Sequence, residues 1–461
     1  MKSLFRTKPI TEISDVEECE LKACLTATDL TFLGVGAIIG AGIFVLTGFA
    51  AATQAGPAIM LSYVFAALAC GFASLSYAEM ASTVGGCGSA YGYAYAAMGE
   101  FIAWIIGWDL ILEYAVSVSA VSVGWSGYFH NTLTGMGINI PEKLLKGPVD
   151  GGWLNLPAMC IVLMIMALLI IGVKTTARFN KIMVITKLTV IALFIFIAFR
   201  HLNFNNWHPF LPFGWSGVMS GAALVFFAFI GFDAVSTTAE EVIDPKRDLP
   251  IGIISSLAIC TFLYILVSGL LTCIAPYTAL NVSSPISQTL INLGYHFAAS
   301  LVAVGAIAGL TTVILVMYYG LTRVFLAMSR DKLLPPFFAS VNKRTQTPVR
   351  IILWSGLLMA TFSAFVPMHE LAELVNIGTL SAFVIVCAGV IVLRYRQPDL
   401  HRPFKTPLMP FVPLLGVGSC LWLIANLNPV TWWRFIIWML LGLMVYFNYS
   451  RYHSKLNTKK N

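Results

Sequence analysis

Gly34-Val35-Gly36-Ala37-Ile38-Ile39-Gly40-Ala41-Gly42-Ile43-Phe44 places four glycines inside an apolar run of membrane length. A glycine in a helix interior costs about 1 kcal/mol relative to alanine, so Gly34, Gly36, Gly40 and Gly42 weaken a segment that a simple anchor would strengthen. The stretch predicts an interrupted helix. In lipid, an interruption leaves backbone N–H and C=O groups unpaired unless it is buried in protein and binds something. The second half-helix, from about Gly42, would offer free N–H donors and a positive dipole end to a carboxylate. The first half would offer carbonyls to an ammonium. An α-amino acid carries both groups. The same glycines also allow neighbouring helices to approach closely, and a second interruption elsewhere decides between the two readings.

The 461 residues are 58% hydrophobic and only 11% charged, whereas a soluble domain carries about 25% charged residues. An ordinary water-soluble protein is excluded, and a polytopic membrane protein is expected. A spanning helix takes about 20 apolar residues. Spans are predicted at 29–52, 57–82, 98–124, 156–173, 180–199, 217–241, 250–274, 297–322, 350–366, 370–393, 410–427 and 431–448, which makes twelve. Glu12, Asp15, Glu17, Glu18 and Glu20 make the first residues polar, so no secretory signal peptide is expected ahead of the first span. The nine cysteines show no CxxC or Cys/His spacing, so neither zinc nor a disulfide framework is indicated, and no cofactor is expected.

The basic residues orient the chain. Of 28 Lys and Arg, 23 fall on the side of the N-terminus, four on the opposite side, and Lys187 lies within a span. The positive-inside rule then puts both termini in the cytoplasm of a cell that carries this chain in its inner or plasma membrane. The net charge of +7 is thereby a topological signal, and no nucleic-acid partner is expected. The resulting order is a cytoplasmic segment 1–28, spans one to five over 29–199, spans six to ten over 217–393, two further spans over 410–448, and a cytoplasmic tail 449–461.

A second interruption is predicted in Phe226-Phe227-Ala228-Phe229-Ile230-Gly231-Phe232-Asp233-Ala234-Val235, where Gly231 and Asp233 break an apolar run in the sixth span. An offset of five spans inverts orientation. Spans one to five and six to ten therefore form a candidate pair of inverted halves, each led by a broken helix, with a binding site between them at mid-membrane. Loops 83–97 and 275–296 occupy corresponding places and are candidates for partly helical flaps.

Lys187 lies about seven residues into the fifth span. A lysine at that depth costs roughly 2.5 to 3.5 kcal/mol on insertion, so it should face the protein interior. Two roles are open to it: a proton carrier, because burial disfavours the charged form, or a fixed partner for a carboxylate or for broken-helix carbonyls. Asp109 and Glu113 are four apart on the third span and share a face. Glu113 and Asp233 either reach a central cavity or accept hydrogen bonds from a broken helix. Glu240, Glu241 and Asp244 read as a solvated loop, with Glu79 similar. Trp104, Trp108, Trp125, Trp432, Trp433 and Trp438 fall mostly near span ends, as an interfacial belt requires. Phe227, Phe229 and Phe232 adjoin the second break, and one of them is a candidate gate.

Taken together, Leu25-Thr26-Ala27-Thr28-Asp29-Leu30, Gly36 to Phe44, Gly107-Trp108-Asp109-Leu110-Ile111-Leu112-Glu113-Tyr114, Phe229-Ile230-Gly231-Phe232-Asp233 and Arg323-Val324-Phe325-Leu326-Ala327-Met328-Ser329-Arg330-Asp331 resemble the amino acid–polyamine–organocation superfamily. Within it, the nearest group is the bacterial relatives of the cationic amino acid transporters, over about residues 20 to 450. The resemblance implies an all-α transporter of twelve transmembrane helices: an inverted five-helix repeat with helices 1 and 6 broken, two extra helices, and alternating access. It also implies that the substrate carboxylate meets backbone amides at Ala41 and Gly42, and that the amino group meets carbonyls at Ile38, Phe227 and Ile230. Glu113 and Asp233 match acidic positions near the family's pocket. Lys187 matches a fifth-helix lysine that replaces a sodium site, which implies proton coupling. Many members carry Ser or Thr where this chain has Ala41, so a hydroxyl donor is missing here.

The expectation is a secondary active transporter, not an enzyme, that imports an L-amino acid with a proton, with a lean toward broad or small neutral substrates. An amino acid/amine exchanger and an uncoupled cationic amino acid uniporter are the rivals. A receptor or membrane enzyme finds no sensory domain, nucleophile motif or metal cluster in the sequence. A monomer is a plausible unit, and nothing in the sequence fixes the oligomeric state.

Overall fold

Thr26 and Asp29 start the first helix as a reciprocal cap. The Thr26 hydroxyl accepts from Asp29 N–H at 3.4 Å while Thr26 N–H donates to Asp29 Oδ2 at 3.1 Å. Helix α1 (Ala27–Ile38) stops at Ile39, whose backbone is extended at φ −73°, ψ 101°. Helical turns resume at Gly42–Leu46 and continue through Thr47–Ala50 and Ala51–Ala55. Gly56, at φ +62°, then turns the chain into α2 (Ile59–Val84). The computed structural model describes residues 5–10, 25–86, 88–135, 137–171, 176–342, 345 and 347–458. The acidic run Glu12 to Glu20, Cys19, Cys24, Cys87, most of the segment 1–28, the last residues of the tail and the side chains of Glu240 and Glu241 lie outside the described part.

The chain continues through α3 (Ala90–Ala97), α4 (Glu100–Gly135), α5 (Leu156–Ile171), α6 (Thr176–Ala198) and α7 (Gly214–Val225). After the second interruption come α8 (Pro245–Ile274), α9 (Pro285–Asn292), α10 (His296–Arg330), α11 (Val349–Phe365), α12 (Met368–Arg396), α13 (Phe411–Ala425) and α14 (Pro429–Val445). Every apolar segment read from the sequence is helical over most of its length. Among the described residues, eight helical stretches are long and apolar enough to cross a bilayer, the first running from Ala27 to Val84, and α5, α11 and α13 are shorter apolar helices. The two flap loops each contain one short helix, α3 and α9.

Packing joins elements far apart in sequence: α4 lies along α10, α2 along α8, α5 along α11, α1 along α8, α7 along α2, α6 along α10 and α12 along α4. Small side chains such as Ala66, Ala69, Ala73 and Ala81 of α2 are buried and bring backbones close. The outer shell is apolar. Phe297 is 83% exposed, Ile171 76% and Trp433 67%, which is a surface for hydrocarbon rather than water.

The interfacial belt needs correction. Trp104, Trp108 and Trp438 instead join α4 to α14: the Trp108 and Trp438 rings stack at 4.6 Å, each indole N–H donates to the other's backbone carbonyl at 3.0 and 3.1 Å, and Trp104 donates to Gly442 O at 3.0 Å. Position near a span end does not say which way a ring points. Trp432 and Trp433 are the exposed members of the set, at 40% and 67%.

Glu79 also departs from the solvated reading. It is 2% exposed near the end of α2. Arg394 donates to it twice, at 2.8 and 2.6 Å, Thr406 N–H donates at 2.7 Å, and Arg402 Nε lies 3.5 Å away. The loop after α12 is thereby fixed to α2. Removing one partner of a buried pair leaves the other charge uncompensated, so Glu79→Ala should destabilise the protein by about 3 kcal/mol or more. The thermal midpoint of the purified variant in detergent checks this; an unchanged midpoint would contradict it.

Candidate functional site

The two interruptions meet. A Cβ built on Gly42 would stand 2.3 Å from Ala228 Cα, and one on Gly231 3.0 Å from the Ala37 carbonyl carbon. Only glycine permits such contact, and Gly231 sits at φ +124°, a conformation that side chains rarely adopt. The second interruption follows the 3-10 turn Phe226–Phe229: Ile230 is extended at φ −62°, ψ 133°, and a further 3-10 segment, Asp233–Glu241, follows.

The carbonyls released where α1 ends have named partners. Lys187, fully buried on α6, donates through Nζ to Gly36 O at 2.7 Å and Ile39 O at 2.8 Å. The Tyr264 hydroxyl of α8 lies 2.8 Å from both Ile38 O and Ala228 O, bridging the two interruptions. Tyr63 and Thr47 donate to Gly42 O at 3.2 and 3.0 Å, and Tyr128 to Phe44 O at 2.7 Å. Of the two roles open to Lys187, the partner found is the pair of α1 carbonyls. A cation at a helix C-terminus also complements the helix dipole.

On the other side, Asp233 accepts from Tyr114 O–H at 2.8 Å and from Gly231 N–H at 3.1 Å, and Asn376 Nδ2 donates to Ala223 O at 2.8 Å. At the outer ends of the two segments, Ile243 N–H donates to Leu25 O at 3.0 Å, tying the residue ahead of the Thr26 cap to the chain just past the second interrupted segment.

Between the interruptions lies a cavity bounded by Ile38, Ala41, Gly42, Phe227 and Ile230, the five backbone positions singled out in the sequence. Its free volume is about 10 Å³, room for about one water, so an amino acid requires the walls to part. Gly40, Ser117, Val121, Val313 and Met317 complete the wall together with Ala37. Gly40 was among the glycines that marked the first interruption, whereas sequence reasoning missed the others; of those, Ser117 carried a signal, as the next residue on the Asp109–Glu113 face. Of the three phenylalanines, Phe227 lines the cavity, whereas Phe229 packs on Tyr264 and Phe232 on Phe383.

Glu113, Asp233 and Lys187 do not line it. Lys187 and Asp233 are committed to the backbone of the two interruptions. Both Glu113 oxygens, one Asp109 oxygen and the Ser117 hydroxyl are buried without a hydrogen-bond partner among the described residues. They recur every fourth residue along α4. Thr379, beside Glu113, gives its proton to Val375 O.

Two interrupted segments thus face a small cavity within an apolar helical bundle. This chain belongs to the amino acid permease family, whose model matches residues 25–445. It is 53% identical to a branched-chain amino acid permease of Bacillus subtilis over 462 residues, covering 99% of both chains. It is 47% identical to a methylthioribose transporter of the same organism over 460 residues, covering 99% of this chain and 100% of that one. A vacuolar cationic amino acid transporter of Arabidopsis thaliana is 38% identical over 418 residues, 88% of this chain and 65% of the relative. These relatives are permeases and transporters, not enzymes, and the family resemblance drawn from the motifs holds. The chain is thus a multi-pass membrane protein.

Gly42→Ala forces backbone against backbone and should cost about 1–3 kcal/mol, with substrate-dependent thermal stabilisation of the purified protein falling at least about tenfold in apparent affinity. Gly124→Ala is the control, because its Cβ would find only 3.5 Å contacts with Ala41, Met368 and Val45. Equal behaviour of the two variants would remove the close approach from the site.

Proposed function

We propose that this chain is a secondary transporter that moves a neutral, aliphatic L-amino acid together with a proton across the plasma membrane by alternating access. The observation that carries this is the cavity where Ile38, Ala41, Gly42, Phe227 and Ile230 converge at two helix ends. The Ala41–Gly42 helix start offers N–H groups to a carboxylate, and the carbonyls of Ile38, Phe227 and Ile230 face an ammonium.

The side chains on the cavity wall are apolar except for Ser117. A cationic side chain would find no counter-charge there, and a sugar only one hydroxyl. Both points favour an aliphatic amino acid, as does the similarity to a branched-chain amino acid permease at 53% identity. Glu113 and Asp233 then act from behind the wall: Asp233 by holding Gly231, Glu113 as a further acidic group next to the substrate's path.

Twelve spans in two inverted halves fit the packing. Each pairing has a counterpart five spans on: α1 with α8 and α7 with α2, α6 with α10 and α12 with α4, while α2–α8, α4–α10 and α5–α11 pair like with like. The halves are spans one to five over 29–199 and six to ten over 217–393, and the charge asymmetry places both termini in the cytoplasm.

Lys187 supplies the coupling. Protonated, its charge complements the negative end of α1 as well as donating to Gly36 O and Ile39 O. Deprotonated, it loses the charge term and loosens its hold on α1. Proton occupancy thereby biases where the first half-helix sits.

Uptake of leucine into proteoliposomes should rise several-fold with an inside-alkaline pH gradient. Lys187→Ala should keep at least part of its leucine-induced thermal stabilisation and lose the pH dependence of uptake. Uptake that requires amino acid preloaded inside would make the protein an exchanger. Inhibition by arginine but not by valine would make it a cationic amino acid carrier, and inhibition by methylthioribose alone would overturn the amino acid reading.

A further inference from the structure

A second concavity lies away from the transport cavity, on the outside of the bundle. The Glu79 cluster holds the loop after α12 so that Phe404 faces the first turns of α8, leaving a groove of about 590 Å³ between them. Lys246 and Arg247 line one end, and Ile251, Ile254 and Ala258 run along its length. Lys246 and Arg247 are exposed, and neither has an ion-pair partner among the described residues. The neighbouring carboxylates Asp244 and Asp248 do not line the groove.

From Lys246 to Ala258 the helix rises about 18 Å, close to the depth of one leaflet of a hydrocarbon core about 30 Å thick. The groove therefore carries positive charge where the headgroups lie and apolar surface where the acyl chains lie. It opens on the side of the membrane where Lys and Arg concentrate.

We propose that this groove is a binding site for one anionic glycerophospholipid, its phosphate held by Lys246 and Arg247 and an acyl chain laid between Ile251, Ile254 and Ala258 on one side and Phe404 on the other. Two adjacent cations select an anionic headgroup over a zwitterionic one, and the fixed loop supplies a preformed wall. A lipid seated there joins α8 to α2 through the Glu79 cluster.

The test uses the full-length protein in detergent, with dioleoylphosphatidylglycerol or dioleoylphosphatidylcholine added at equal mole ratio. The thermal midpoint should rise by several degrees more with the anionic lipid, and high salt should reduce that difference. K246Q/R247Q should abolish the difference while keeping the phosphatidylcholine response, and K246R/R247K should restore it. Native mass spectrometry gives an independent reading: wild-type protein should retain one more phosphatidylglycerol than Ala258→Trp, whose side chain fills the groove. Equal shifts with both lipids, an undiminished difference in K246Q/R247Q, or the same number of retained lipids in Ala258→Trp would overturn the proposal. Equal stabilisation by glycerol 3-phosphate alone would overturn the acyl-chain half of it.

Discussion

Backbone contact between residues 42 and 228 is the constraint on which the site depends. Two membrane helices ordinarily keep their axes apart by the width of their side chains, and each satisfies its own peptide groups. Here neither condition holds: Gly42 lies against Ala228, and Gly231 against Ala37. Both segments open beside these contacts, at Ile39 and Ile230, and their freed carbonyls must find donors within protein. Lys187, Tyr264, Tyr63 and Tyr128 are those donors. They come from four different helices, which explains why buried polar side chains are spread through segments otherwise made of Ala, Leu, Ile and Val.

The arrangement also separates two jobs that the sequence left merged. Charged groups near the interruptions hold backbone: Lys187 one half-helix, Asp233 the turn at Gly231. The side chains of the residues that line the cavity are apolar except for Ser117. The charge of Lys187 and Asp233 thus stays in the frame around the cavity.

Much of this was legible in the sequence. Long apolar runs marked the helices, because the hydrocarbon core demands them. Glycine clusters and the Gly231–Asp233 pair marked both interruptions, and the five wall positions at Ile38, Ala41, Gly42, Phe227 and Ile230 came from the family resemblance that those motifs carry. The tyrosine donors were not legible, because a tyrosine in an apolar run has no periodic signature. A buried phenol does need a partner, and that was the available clue. The Glu79 cluster was hidden for a different reason: its arginines lie more than 300 residues away in sequence. The tryptophans misled because distance from a span end fixes depth but not azimuth, and Trp104, Trp108 and Trp438 turn inward toward each other.

The bond from Ile243 N–H to Leu25 O has one more implication. It fastens the outer tips of the two interrupted segments to each other. Displacing one tip without its companion would first have to break this clasp, at a cost of about 0.5–1.5 kcal/mol. A single backbone hydrogen bond outside the cavity thereby favours the two tips moving together.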